Sequence, residues 1–188
     1  RFHDGSSFDA DDVKFSLDRA LAPDSTNAQK ALLSPITQVE VLDAHSVKLT
    51  LGQPSGTLPY FLGWGDAVIV APESAATNAT NPIGTGPFLF SSWRRGDSIR
   101  LDHNPDYWGD AARLNSVLFK FIGDPAAAFA SIKAGDIDAF PNYPAPENIA
   151  EFENDPNLRV VIGATAGKVI IAINNRRSPF DNLLVRQA

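Results

Sequence analysis

Three histidines and no cysteine limit the chemistry that this 188-residue chain can do. Zinc sites draw on imidazole and thiolate ligands grouped at short helical or turn spacings. His3, His45 and His103 are scattered, and each stands in a turn-like stretch. Asp136 and Asp138, two positions apart, could hold a hard cation through carboxylate oxygens. Asp9, Asp11 and Asp12 form a second acidic group. Plainer accounts fit both groups better. Asp136 follows the helix-ending Gly135, and acids in a first helical turn suit the helix dipole.

Gly84-Thr85-Gly86 could cradle a phosphate. It lacks the Gly-Lys-Ser/Thr ending of a P-loop and the third glycine of a dinucleotide fingerprint, so a structural turn feeding the Phe88 strand is the expectation. No Gly-x-Ser-x-Gly elbow occurs, and a thiol nucleophile is excluded. Glycoside hydrolysis needs a carboxylate pair held ~5–9 Å apart across a cleft, and no pair is marked out here. No cofactor is called for.

The residues best suited to touching a ligand are aromatic and polar. Trp64 is flanked by Gly63 and Gly65 and followed by Asp66, just before an apolar run. An indole with a small-residue hinge and an adjacent acid suits the rim of a cleft. Asn142 and Tyr143 follow the apolar stretch Ile137 to Phe140. If that stretch is a strand of an open α/β sheet, the loop after it faces the ligand crevice. Trp64, Gly65, Asp66, Asn142 and Tyr143 are therefore the candidate ligand-binding residues. Core packing is the competing account of each aromatic.

The elements that would carry these residues can be read along the chain. Asp9 caps a helix whose stripe is Val13, Leu17, Ala20 and Leu21, ended by Pro23. A hairpin follows, with Val39 and Val41 on one strand, Val47, Leu49 and Leu51 on the next, and a turn at Asp43 to Ser46. Thr57 to Leu62 is a short helical or irregular piece, and Ala67 to Ala71 reads as a buried strand closed by Pro72. A second hairpin pairs Phe88 to Trp93 with Ser98 to Asp102 around Arg95-Gly96-Asp97. Val117 to Ile122 is a strand. Asp124-Pro125 opens a helix that Gly135 ends. Ile137 to Phe140 is a short strand, Glu147 to Asn154 a helix, Leu158 to Ile162 a strand, and Lys168 to Asn174 a long apolar strand. This alternation argues for an α/β fold.

The formal charge is −6, which disfavours nucleic acid, since phosphate binding needs clustered Lys and Arg. Arg94-Arg95 and Arg176-Arg177 are isolated pairs suited to solvated turns. No stretch approaches the ~20 apolar residues of a bilayer crossing, so direct membrane insertion is not expected. The opening residues carry no apolar signal region, the chain contains no Met, and Val185 to Ala188 continues a helix-like opening without a stop signal. Both ends read as those of a piece with its flanks removed.

Five segments, in order, carry a resemblance: Phe2-His3-Asp4-Gly5 with Phe8 to Ser16; Asn81 to Phe88 around Gly84-Thr85-Gly86-Pro87; Leu101 to Gly109 around Asn104-Pro105-Asp106-Tyr107-Trp108; Lys133 to Ala139; and Ile173-Asn174 with Ser178 to Ala188. Together they resemble the family-five solute-binding proteins of ABC importers. The resemblance implies periplasmic-binding-protein-like lobes with an extra small peripheral lobe, incomplete at both ends. Residues 1 to 82 would belong to the small lobe, 83 to 167 to the first main lobe, and 168 to 188 to a hinge strand and the start of the second. It implies a non-enzymatic protein, periplasmic or extracellular, that captures peptides or similar small solutes by lobe closure and passes them to a membrane permease. Trp93, Tyr107 and Trp108 would pack the lobe or pin its loops. Ligand identity stays open between peptide, metal chelate and sugar.

Two competing classes remain. A carbohydrate-active or other hydrolytic enzyme could use Trp64 and Tyr143 as a sugar platform. A docking or receptor module would need no small ligand. Whatever the function, a sheet without its flanking strands exposes unpaired edges, which predicts self-association through them.

Overall fold

The structure, a computed structural model, describes residues 1–163 and 174–187. They fall into two compact units, Arg1–Ile122 and Gly123–Ala188.

In the first unit, Asp9 opens helix α1 (Ala10–Leu21) as expected. Its carboxylate accepts the Asp11 N–H at 2.9 Å, while the Asp12 carboxylate reaches back to the Asp9 N–H, also at 2.9 Å. This reciprocal cap satisfies donors that a helix start leaves open. A short turn of helix, α2 (Lys30–Leu33), leads into the antiparallel hairpin β1 (Ile36–Asp43) and β2 (Ser46–Leu51). Helix α3 (Leu58–Leu62) closes over them. Leu17 and Ala20 of α1, Leu33, Ile36 and Val39 of the hairpin side, and Leu58 of α3 make one buried cluster. Leu33 is wholly enclosed. Removing a side chain so placed costs about 2–5 kcal/mol, since the cavity left behind collapses only in part.

The second hairpin also forms where its turn chemistry placed it. Strands β3 (Phe88–Arg94) and β4 (Ser98–His103) turn at Gly96, whose φ of +76° suits glycine. β5 (Ser116–Lys120) adds to β4, giving the antiparallel order β3-β4-β5.

In the second unit, Asp124 caps α4 (Pro125–Ala134) by accepting the Ala127 N–H at 2.7 Å. Gly135 ends that helix in the left-handed region at φ +76°. Residues Pro146–Asn148 form one 3-10 turn that runs into α5 (Ile149–Glu153), and α6 (Leu183–Gln187) follows further on. Phe129 and Phe152 stack at 5.2 Å, joining α4 to α5.

Three expected strands do not form. Ala67 to Ala71 is irregular and enters no sheet. The Ser16 hydroxyl takes both hydrogen-bonding groups of Val70, accepting from its N–H at 2.9 Å and donating to its C=O at 3.1 Å. Ile137 to Phe140 and Leu158 to Ile162 are likewise irregular. Val161 and Ile162 stand about three-quarters exposed. Apolar β-branched runs need a neighbouring strand to become a ladder, and among the described residues none lies beside these three. The expected strand from Lys168 falls, except for Asn174, outside the described residues.

Candidate ligand-binding surfaces

Three of the five sequence segments that carried the resemblance meet in the first unit. The His3 N–H donates to Gly84 C=O at 2.8 Å, and its Nε2 lies 3.0 Å from Gly86 C=O. Asn104 Nδ2 donates to the same Gly86 carbonyl at 3.0 Å, and Asn104 N–H donates to Pro87 C=O. Trp108 Nε1 donates to Thr85 C=O at 3.0 Å. The Gly84–Gly86 segment is thus held by its own carbonyls, and neither glycine takes a positive φ. A phosphate cradle presents N–H groups instead.

Trp64, Gly65 and Asp66 also belong to the first unit. Gly63 ends α3 by donating to Tyr60 C=O, and Trp64 N–H and Ala67 N–H donate to Phe61 and Trp64 carbonyls in turn. The loop is therefore a run of tight turns. Trp64 is 44% exposed, with its ring edge-on to Tyr60 and Phe61, each centred 5.6 Å away. Space is open where a Gly65 Cβ would stand.

Asp66 is fixed through its backbone. Its N–H donates to Gln29 Oε1 at 2.9 Å, and its C=O accepts from Asn27 Nδ2 at 2.7 Å. This stitches the loop to the segment before α2. Asp66 then lies on the wall of a cleft of about 490 Å³, facing Ser16 and Arg19 of α1 and Asp24 and Asn27 of the following loop. The wall is mixed in charge and rich in hydroxyl and amide groups. Trp64 is not part of it.

Asn142 and Tyr143 lie in the second unit. Tyr143 packs at 5.0 Å against Phe152 and at 5.8 Å against Phe140, and its hydroxyl accepts from Asn148 Nδ2 at 3.0 Å. It also lines a cleft of about 510 Å³ with Ile132, Ile137, Phe140, Phe152 and Leu158, whose wall carries Asp138, Asn157 and Arg159 as well. Asn142 is exposed and outside that lining. The argument that placed both after a strand loses its premise, because Ile137 to Phe140 is not one. Asp138 lines the same cleft, and among the described residues no group of three potential metal-ligating side chains occurs.

Sequence reasoning missed Asn27, Gln29 and Arg19. Asn27 carried a signal, since its carboxamide accepts the Gln29 N–H at 2.8 Å, the local turn that asparagine favours. Nothing in sequence pairs Gln29 with Asp66, 37 positions on.

The four resolved carboxyl shifts all run downward and all lie on exposed turns or pairs. Asp4 is held below its ordinary range first by the Ser6 hydroxyl, Asp43 by the His45 N–H, Asp102 by Ser91 and then Arg100, and Asp155 by Lys133. None lies in either cleft.

These units have the fold of periplasmic binding proteins. A solved structure of the binding protein AgaA from A. tumefacien R10, in complex with agropinic acid, superposes with a TM-score of 0.77 at 35% identity, over 83% of this chain and 33% of that one. The family described as bacterial extracellular solute-binding proteins, family 5 Middle, matches residues 1–188, and the chain belongs to it. The glutathione-binding protein GsiB of Pectobacterium atrosepticum is 31% identical over all of this chain and 37% of its own length. The oligopeptide-binding protein AppA of Bacillus subtilis is 33% identical over all of this chain and 36% of its own. The chain thus spans little more than a third of the curated relatives it matches.

Proposed function

We propose that the full-length protein is the substrate-capturing component of an ABC importer on the periplasmic or extracellular side of the cell envelope. A small solute bridges two lobes and biases an open–closed equilibrium, and the closed form docks on a membrane permease. The match of the family to the whole of residues 1–188 carries this reading. The relatives' names point to small polar solutes with several charged or amide groups: glutathione, oligopeptides, agropinic acid. The role is binding without turnover.

Asp66 is the side chain we assign to solute contact in the first unit, because its backbone is pinned and it is an acidic residue on the wall of a cleft of mixed polar and apolar lining. Trp64 supplies an exposed ring face nearby in sequence. Tyr143 and the cleft it lines serve the second unit, with Asn142 next to it in sequence.

A thermal-shift screen of the full-length protein against glutathione, mixed oligopeptides and agropinic acid tests this. Ligand at 100 times its dissociation constant adds about 2.7 kcal/mol of stability. A shift with one class, lost in Asp66→Ala, supports both the function and the site. A shift unchanged in Asp66→Ala and Trp64→Ala moves the site elsewhere, and silence across the panel overturns the solute-capture reading for these ligands.

A further inference from the structure

His3 is held through both of its ring nitrogens. Nε2 lies 3.0 Å from Gly86 C=O, an acceptor, so that nitrogen carries the proton. Nδ1 faces the Gly84 N–H, a donor, at 3.4 Å, so that nitrogen is bare. Only the neutral imidazole, protonated at Nε2, meets both conditions. Protonation would set an Nδ1–H against the Gly84 N–H, removing one hydrogen bond and opposing two donors. The ring's Cε1 also lies 3.6 Å from where a Gly84 Cβ would stand, an ordinary van der Waals contact.

We infer that His3 is a pH-sensitive latch, whose bond from the Gly84 N–H forms on the neutral ring and is lost when the ring is protonated. The latch stands apart from any ligand and from the transport reading. Histidine is the side chain whose charge changes between about pH 5 and 8. The loss is local, because the His3 N–H keeps its bond to Gly84 C=O, the ring Nε2–H keeps Gly86 C=O, and Asn104 and Trp108 keep theirs to Gly86 and Thr85.

The charged neighbours are few. On the latch's own turn stand Asp4, whose carboxylate interacts with the His3 charge, and Arg1, whose guanidinium donates to Gly5 C=O. The Gly84–Gly86 crossing carries no ionisable side chain, and Asn104 is neutral. Next to Asn104 is His103, whose Nε2 is buried without a partner. It is a second imidazole on that side, so the control must remove His3 alone.

His3→Gln is that control. A carboxamide offers one acceptor and one donor as the neutral imidazole does, and it does not titrate. In the 188-residue chain, long-range proton–nitrogen spectra should show His3 as the Nε2–H tautomer at pH 8. Hydrogen exchange at Gly84 N–H, corrected for intrinsic rate, should lose about five- to tenfold protection between pH 8 and pH 5, the worth of one net hydrogen bond. In His3→Gln that protection should stay within about twofold. An Nδ1–H tautomer at pH 8, or wild-type protection that does not change with pH, overturns the latch even if His3→Gln fails to fold. Equal loss in wild type and His3→Gln also overturns it and assigns the effect to a group other than His3.

Discussion

Trp108 donates its indole N–H to the carbonyl of Thr85 at 3.0 Å, across 23 positions of chain. Its ring meanwhile lies mostly in solvent, 76% exposed. The residue therefore acts through one hydrogen bond more than through burial. Tyr107 beside it contacts the ring at 5.2 Å and lies over Gly109, where a Cβ would come within 2.7 Å of the phenol. The turn after β4 is tied down by its polar edges.

Trp108→Phe should cost about 0.5–1.5 kcal/mol, the net worth of a hydrogen bond, read as a lower urea midpoint at unchanged slope. Trp108→Ala should cost little more, because little ring surface leaves water. A far larger loss for alanine would mean that the ring packs.

Ser16→Ala should be more harmful than its size suggests. The hydroxyl accepts from Val70 N–H and donates to Val70 C=O. Deleting it leaves two backbone groups without partners beside a buried helix face, at about 1–3 kcal/mol. Ser16→Thr, which keeps the hydroxyl, should recover most of the loss in the same denaturation experiment.

Lys133 and Asp155 pair at 2.7 Å in the second unit. The lysine ammonium is the first cause holding the Asp155 carboxyl below its ordinary value of 3.8, and the Asn157 N–H is the second. A carboxyl lowered in the folded state stabilises it above the unfolded-state value and loses that effect as pH falls through the folded-state value. Lys133→Gln should thus reduce stability near neutral pH, with the difference from wild type closing as pH drops below 3.8. Added salt should close it too. A difference that widens in acid would contradict the pairing.

The outer edge of β5 pairs with no strand among the described residues. Leu118 and Phe119, on opposite faces, are each 53% exposed. Such an edge is a template for another chain. Sedimentation of the 188-residue chain should show concentration-dependent self-association, weakened by Leu118→Lys. A strict monomer at high concentration would refute this.

Local chemistry was legible in the sequence. Asp9, Asp124, Gly96 and Gly135 each announce a cap or a turn through residues that are neighbours in the chain, and each forms where expected. The paired strands were legible for the same reason, since a tight turn sets each hairpin's register. The motifs that mark the family could be read without knowing that three of them touch.

Strand formation at Ala67 to Ala71, Ile137 to Phe140 and Leu158 to Ile162 was not legible. An apolar run records a preference, and a ladder requires a partner that the run itself does not contain. The candidate site divides in the same way. Residue type singled out Trp64, Asp66 and Tyr143, but only the tertiary structure set Asp66 against Arg19 and Asn27 and packed Tyr143 on Phe152. Caps, turns and the family's motifs rest on interactions within a few residues, so the sequence by itself determined them. Which carbonyl His3 finds 83 positions away, and which apolar runs go unpaired, depend on how distant segments share space, and only the fold decided that.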